Sequence, residues 1–329
     1  MTTFKEIRGT TIEVVSSDPA NPEAGQIWYN SSSGTLKGRL ALTAGWTSGS
    51  NMNNGRRGIL VCAGGTQTAA LAAGGYNGST SVPGFTESYN GSWTTVNSLN
   101  TGRYAGAGFG TQTAFIAAGG YSYPPNTFSD ITESWNGTSW TNLPATSGNS
   151  GFYKTGTGTQ TAGLVVGYTS TQNQLWNGSA WTTNPATMNT SLNGRGISGT
   201  QTSAIAAGGQ DTVARASSES YNGTSWTNTS NMNTARYFLG AGGASSSSSI
   251  MFSGNTSPGP SYTTSTESWN GTAWTAVAGL AVAKNAVGSA GTQTAALSFG
   301  GEGPPSAASN TTEIWTGPGS FTTKTITVS

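Results

Sequence analysis

Short apolar runs alternate with turn residues along nearly the whole chain. Residues 59–63 form one such run, ending at Gly64-Gly65. A second, 69–73, follows Thr66-Gln67-Thr68 and ends at Gly74-Gly75-Tyr76. Residues 86–89 come after a loop, and Asn90-Gly91 leads into 93–96. Each run has strand length and is bounded by turn formers, so the stretch 57–100 predicts a four-stranded antiparallel meander.

The pattern recurs to the C-terminus. The Gln of Gly-Thr-Gln-Thr stands at Gln67, Gln112, Gln160, Gln201 and Gln293, with residues 245–249 replacing the motif in the fifth copy. The Trp after the Asn-Gly turn stands at Trp93, Trp140, Trp181, Trp226 and Trp274, with Phe321 expected in that place in the last copy. The successive steps are 47, 41, 45, 48 and 47 residues. Four strands in a period of about 40–50 residues is the signature of a propeller, whose sheets cannot bury their faces alone. An arginine opening the unit, a glycine pair closing strand two, an aromatic ending strand three and a Trp in strand four resemble the kelch repeat. The glycine pairs are Gly74-Gly75, Gly119-Gly120, Gly208-Gly209 and Gly300-Gly301; the aromatics are Tyr89, Trp135, Trp176, Tyr221, Trp269 and Trp315. Val166-Gly167 and Ser253-Gly254 depart from the pattern in the third and fifth copies. The resemblance covers residues 51–329 and implies an all-β, kelch-like β-propeller. It implies no particular activity, because that fold hosts many.

Residues 1–50 are a separate N-terminal block, with strands expected over 11–15, 26–30 and 36–40. Trp46 lies 47 residues before Trp93, one period away. A divergent seventh blade is therefore the favoured reading; six blades with an N-terminal virion-attachment segment is the alternative. Asp18-Pro19-Ala20-Asn21-Pro22, Gly25-Gln26-Ile27-Trp28-Tyr29-Asn30 and Gly34-Thr35-Leu36-Lys37 resemble segments of tail-fibre and other appendage proteins of tailed bacteriophages.

Composition narrows the function classes. Only 8% of residues are charged, the net charge is +1, histidine is absent and Cys62 is the single cysteine. Nucleic-acid binding through phosphate neutralisation is not expected, nor is a disulfide framework. Neither a cleaved signal peptide nor an 18-residue apolar run is visible, so membrane insertion is not expected and assembly in a host cytoplasm is. His-based acid–base chemistry is excluded. The few carboxylates recur one per repeat rather than as the pair a glycosidase needs. The expectation is a protein that is not an enzyme and carries no cofactor or metal.

The charges themselves are periodic. Glu87, Glu133, Glu219, Glu267 and Glu313 share one position of strand three, where the third copy has Gln174. Arg57, Arg103, Arg195 and Arg236 stand near the start of strand one, with Lys154 and Lys284 in the remaining copies. Periodicity points to structural ion pairs or carboxylate bonds to backbone N–H groups; a carboxylate ring gathering a metal is the sharper alternative. The Asn-Gly pairs match glycosylation sequons but read as type I′ turns, in which both central residues need positive φ. Thr-Gln-Thr reads as hairpin tips, with a ring of binding turns as the alternative.

A meander puts the Thr-Gln-Thr and Asn-Gly turns on one face. The loops between strands two and three fall on the other, and they differ from copy to copy. Residues 77–85, 122–131, 169–174, 210–218, 255–266 and 302–311 form them. Phe85, Tyr123, Pro124, Pro125, Phe128 and Tyr262 are the candidate ligand contacts, since rigid scaffolds carry recognition on loops. The expected function is a phage virion appendage or surface protein that adheres to a host-surface glycan or protein. The alternative is a structural decoration or connector protein that binds other virion proteins. A homo-oligomer is compatible with either.

Overall fold

The computed structural model describes residues 12–20, 22–23, 25–59, 61–62, 65–79, 82–124, 126–146, 151, 153–167, 170–256, 261–319 and 321–326. No helix occurs among them. The architecture is all-β and propeller-like, built from repeated four-stranded antiparallel sheets. Repeat two shows the unit in full: Ala107–Gly110, Phe115–Ser122, Thr127–Trp135 and Trp140–Leu143 pair in sequence order. Repeat one has Ala70–Ala73, Thr86–Tyr89 and Trp93–Val96; its short first strand, Val61–Cys62, runs parallel beside Ala107 and Gly108 of the next repeat.

The last repeat departs from simple sequence order. Gly288–Gly291, Ala295–Phe299 and Thr312–Thr316 take Gly45–Ser48 as their outermost strand. Trp46, not Phe321, therefore occupies the strand-four position. Its ring lies 5.5 Å from Trp315 and its Nε1 donates to Thr266 Oγ1 at 3.0 Å. Phe321–Thr325 instead pairs with Thr35–Ala41.

The chain divides into two compact units, residues 45–315 and residues 1–44 with 316–329. The terminal unit is one sheet in the order Glu13–Val15, Ile27–Asn30, Thr35–Ala41, Phe321–Thr325. Its first two strands are parallel, and its fourth comes from the other end of the chain, so it is not a meander of the repeated kind. Asp18 ties the segment together. Its carboxylate accepts from Trp28 Nε1 at 3.1 Å, Asn30 Nδ2 at 2.7 Å and Lys37 Nζ at 2.6 Å. Lys37, with help from Asn30 and Trp28, holds the Asp18 carboxyl down at about 2.

In the repeat unit the core lies between sheets, which follows from the period-two alternation of a strand. Ala70 and Ala72 pack with Leu297 and Phe299 of the last repeat, while Leu71 and Ala73 pack with Phe115 and Trp140 of the second. Five connectors add one buried apolar plug each, Met52, Leu99, Met188, Met232 and Leu280, and Thr146 takes that place between repeats two and three. Each apolar plug stabilises by about 1.5–3 kcal/mol. The glycine pairs recur because both residues sit at positive φ, as at Gly119 (+64°) and Gly120 (+112°), where a Cβ is strained.

Polar side chains link the parts. Glu133 accepts from the N–H groups of Asn100 and Thr101 and pairs with Arg103, both side chains fully buried. Glu219 pairs in the same way with Arg195 at 2.9 Å, Glu267 with Arg236 at 3.1 Å and Glu313 with Lys284 at 3.4 Å. In repeat one the partner of Glu87 is Arg56, not Arg57; the arginine one residue earlier fills the buried slot. Each carboxylate is engaged within its own repeat. The Thr-Gln-Thr tips are not free: Gln160 Nε2 donates to Trp135 O at 2.7 Å, Gln201 to Trp176 O at 2.7 Å, and Gln67 to Trp315 O. Each Gln staples its repeat to the one before, with Gln67 reaching the last. Strand-four indoles do likewise. Trp93, Trp140, Trp181 and Trp274 donate to Thr312, Thr86, Thr132 and Ser218. The Asn-Gly turns are corrected. Only the glycine takes positive φ, as at Gly137 (+95°). The loop spans residues 136–139, and Asn136 Oδ1 accepts from the N–H groups of Thr138 and Ser139. This is asparagine side-chain turn chemistry rather than a two-residue I′ hairpin.

Repeat three breaks the code. Gln174 replaces the glutamate, and buried Lys154 Nζ has no hydrogen-bond partner among the described residues. Asn173 replaces the threonine, and Trp226 Nε1 is left unpartnered. Burial pushes the Lys154 ammonium down to about 8, against the pull of Asp130.

Two outcomes test this account. Glu133→Ala strands the Arg103 charge in the core and should cost about 3–5 kcal/mol in denaturant unfolding; an unchanged midpoint would refute the pairing as structural. Lys154→Met should stabilise the protein by about 1–3 kcal/mol at neutral pH. Folded Lys154 loses its proton near 8 and the unfolded one near 10.5, so the charged form's cost is full below 8 and gone above 10.5. The stability gap between variant and wild type should therefore close across that window, and a gap independent of pH would contradict it.

Candidate recognition site

The first strand of each repeat is entered through a residue at positive φ: Gly58, Ala105, Tyr153, Gly194, Phe238 and Ala286, at +48° to +64°. Backbone bonds join these members in two runs, 286–58–105–153 and 194–238–286. Ala105 N donates to Gly58 O at 2.7 Å, Tyr153 to Ala105 at 2.7 Å, Phe238 to Gly194 at 2.7 Å and Ala286 to Phe238 at 3.0 Å. Gly58 N then donates to Ala286 O at 3.0 Å, joining the first repeat to the last. The rings of Tyr153 and Phe238 meet across this belt with centroids 4.0 Å apart, and burial pushes the Tyr153 phenol up to about 12.

One residue before each of five of these members, the chain forms an isolated bridge to the residue that follows the glycine pair, or Ser253-Gly254 in the fifth repeat. Arg57 bridges Tyr76, Tyr104 bridges Tyr121, Asn193 bridges Gln210, Tyr237 bridges Asn255 and Asn285 bridges Glu302. The backbone is alike in each, but the side chains are not. Repeats one and two supply a run of aromatics. Tyr76 lies 5.4 Å from Tyr104, Tyr104 5.7 Å from Tyr121, and Tyr121 5.6 Å from Phe128. The Arg57 guanidinium stacks 5.4 Å above Tyr76 and pairs with Glu302.

These rings line an open groove of about 570 Å³ with Arg57, Tyr123 and Asn126. A second groove of about 580 Å³ lies on the other side of Tyr123 and Phe128, bordered by Val82, Ser122, Pro124, Thr127 and Asp130 among others. Tyr123 and Phe128, 37% and 46% exposed, thus form a ridge between two hollows. Both hollows have the size of small-ligand sites. The ridge loop is anchored to its neighbour, since Val82 N donates to Tyr123 O at 2.8 Å. Gly102 runs beneath that neighbouring loop so closely that a Cβ would stand 2.0 Å from Val82 O.

Of the residues expected on the variable face, Tyr123, Pro124 and Phe128 come together at this ridge. Pro125 lies outside the described residues. Phe85 is half-buried and precedes strand three of repeat one, its carbonyl accepting from Gly74 N. Tyr262 stands elsewhere, donating its hydroxyl to Ser306 Oγ at 3.1 Å across two other loops. Tyr76, Tyr104 and Tyr121 were missed as site residues. The signal was available: the position after the glycine pair or its equivalent reads Tyr76, Tyr121, Tyr168, Gln210, Asn255 and Glu302 while its neighbours repeat, and Tyr168 lies outside the described residues. No protein-family model matches the chain, and no curated protein is similar to it.

Gly102→Ala should part the two loops, break the Val82–Tyr123 bond and cost about 1–3 kcal/mol as an overpacked contact. Faster proteolysis within residues 77–85 of the variant checks this; an unchanged cleavage rate and melting temperature would count against the contact.

Proposed function

We propose that this chain is a closed, six-bladed, kelch-like propeller that serves as a non-enzymatic appendage or surface protein of a tailed-phage virion, adhering to a host-surface glycan or protein. Three observations support six blades over seven. Gly45–Ser48 completes the sheet of the last repeat. Gly58 and Ala286 join first to last by a backbone bond, and Ile59, Met52 and Trp93 share a core with Leu297 and Phe299. A closed ring leaves no unpaired face between its first and last sheets.

The observation that carries the adhesive role is the aromatic ridge with its flanking hollows on the variable face. The opposite face is uniform because its glutamines and asparagines are engaged in staples and turns. The side of the ring that differs from blade to blade is the side that presents exposed rings. The phage setting rests on the segment 18–37, whose distinctive Asp, Trp, Asn and Lys form one hydrogen-bonded knot in the terminal unit. That unit gathers both chain ends and is the candidate attachment module to other virion proteins.

Fluorescently labelled protein should bind intact cells of a susceptible host, and Phe128→Ala should reduce that binding at least severalfold without lowering the melting temperature. Absence of cell binding together with copurification on purified capsids or tails would replace adhesion with a decoration or connector role.

A further inference from the structure

We infer that the ligand of the ridge is a short uncharged stretch of a saccharide chain, lying across Tyr123 and Phe128 with its ends in the two hollows. This rests on the adhesive reading and names the ligand class for the same site. The first argument is area. Among the described residues of the 45–315 unit, the large apolar side chains that are exposed are Tyr123, Phe128, Val213 and Val282. Only the first two belong to one site. A protein partner of ordinary affinity needs roughly 800 Å² on each side, with an apolar centre. Two rings standing among polar loops do not supply that. They do match a pyranose, which has one apolar C–H face about the size of an aromatic ring and hydroxyls around its edge.

The second argument is charge. The one cation at the grooves already has an ionic partner, and the one carboxylate accepts from a hydroxyl. Arg57 is paired with Glu302 and stacked on Tyr76. Asp130 accepts from Thr146 Oγ1 at 3.3 Å. No lysine lines either hollow. An acidic ligand would meet no free cation at either hollow and would face the Asp130 carboxylate, whereas a neutral one needs no counter-charge. The edges carry amide and hydroxyl groups, Asn126 and Thr127 at the rim and Ser122 deeper. These suit sugar hydroxyls. The third argument is shape. Hollows of about 570 and 580 Å³ on both sides of the same two rings accommodate a chain that crosses the ridge, not a single residue in a closed cup.

The test uses the full chain on an array of purified bacterial surface polysaccharides and neutral oligosaccharides, followed by calorimetric titration of those that bind. The expected result is binding to at least one neutral saccharide. Phe128→Ala and Tyr123→Ala should each weaken it about tenfold or more, with melting temperatures unchanged. Val213→Ala, remote from the ridge, should leave it intact. Raising sodium chloride from about 50 to 500 mM should leave the affinity within twofold, since no exposed ion pair forms. Binding to none of the saccharides, binding that survives both ridge substitutions, or binding to acidic glycans alone with steep salt dependence would each overturn the inference. Its failure is separable from failure of adhesion. Cell binding that is abolished by protease but untouched by periodate oxidation of surface sugars would leave adhesion standing and point to a protein receptor. Absence of binding to any cell would remove both.

Discussion

A strand places alternate side chains on opposite faces, and in these sheets both faces are apolar. That single constraint organises the molecule. Strand two of repeat one sends Ala70 and Ala72 toward one neighbour and Leu71 and Ala73 toward the other. No repeat owns a core; each owns two halves of one. The indole and glutamine staples obey the same geometry, because each binds the repeat before it. A chain built this way has an unpaid debt at its first and last sheets unless they meet. Here Trp46, Gln67 and the Gly58 amide all reach back to the end of the sequence.

Much of this was legible in the residues. Strand boundaries, the four-strand unit, the connector plugs and the one-acid-one-base rule all follow from period-two patterning and the repeat. Three details did not. Arg56 and Arg57 are adjacent, and only burial distinguishes the one that reaches Glu87. Trp46 was one period from Trp93, which fits either a blade of its own or the outer strand of a distant sheet; spacing cannot separate these, because the partner lies more than 240 residues away. The Asn-Gly pairs have the composition of a two-residue hairpin, but the loop takes up to four residues and the asparagine works through its side chain.

Repeat three shows how far the polar code can be relaxed. Losing the glutamate, the arginine and the threonine leaves Lys154 Nζ and Trp226 Nε1 without hydrogen-bond partners among the described residues, and the sheet still forms. Its compensation is local: Asn184 Nδ2 donates to Asn173 Oδ1 at 2.6 Å and to Tyr221 Oη at 2.9 Å. Apolar layering therefore sets the architecture, and the buried ion pairs adjust its stability. That hierarchy agrees with the general weakness of buried pairs as a source of net stability.

The same hierarchy explains where recognition can reside. Positions that pack between sheets or staple them are constrained in every repeat. The residue after the glycine pair is placed by a backbone bridge that is the same in each of these repeats, so its side chain can differ without disturbing the sheets. In repeats one and two that freedom yields Tyr76 and Tyr121, with Tyr104 between them. Elsewhere among the described residues it yields Gln210, Asn255 and Glu302. Repeats one and two thus acquire a continuous run of aromatics. Among the described residues of the 45–315 unit, the ridge loop beside that run is the one that exposes further rings. Candidates chosen from loop composition alone fell on several repeats. The bridges select one, because they show which loops stand next to a groove already floored with tyrosine.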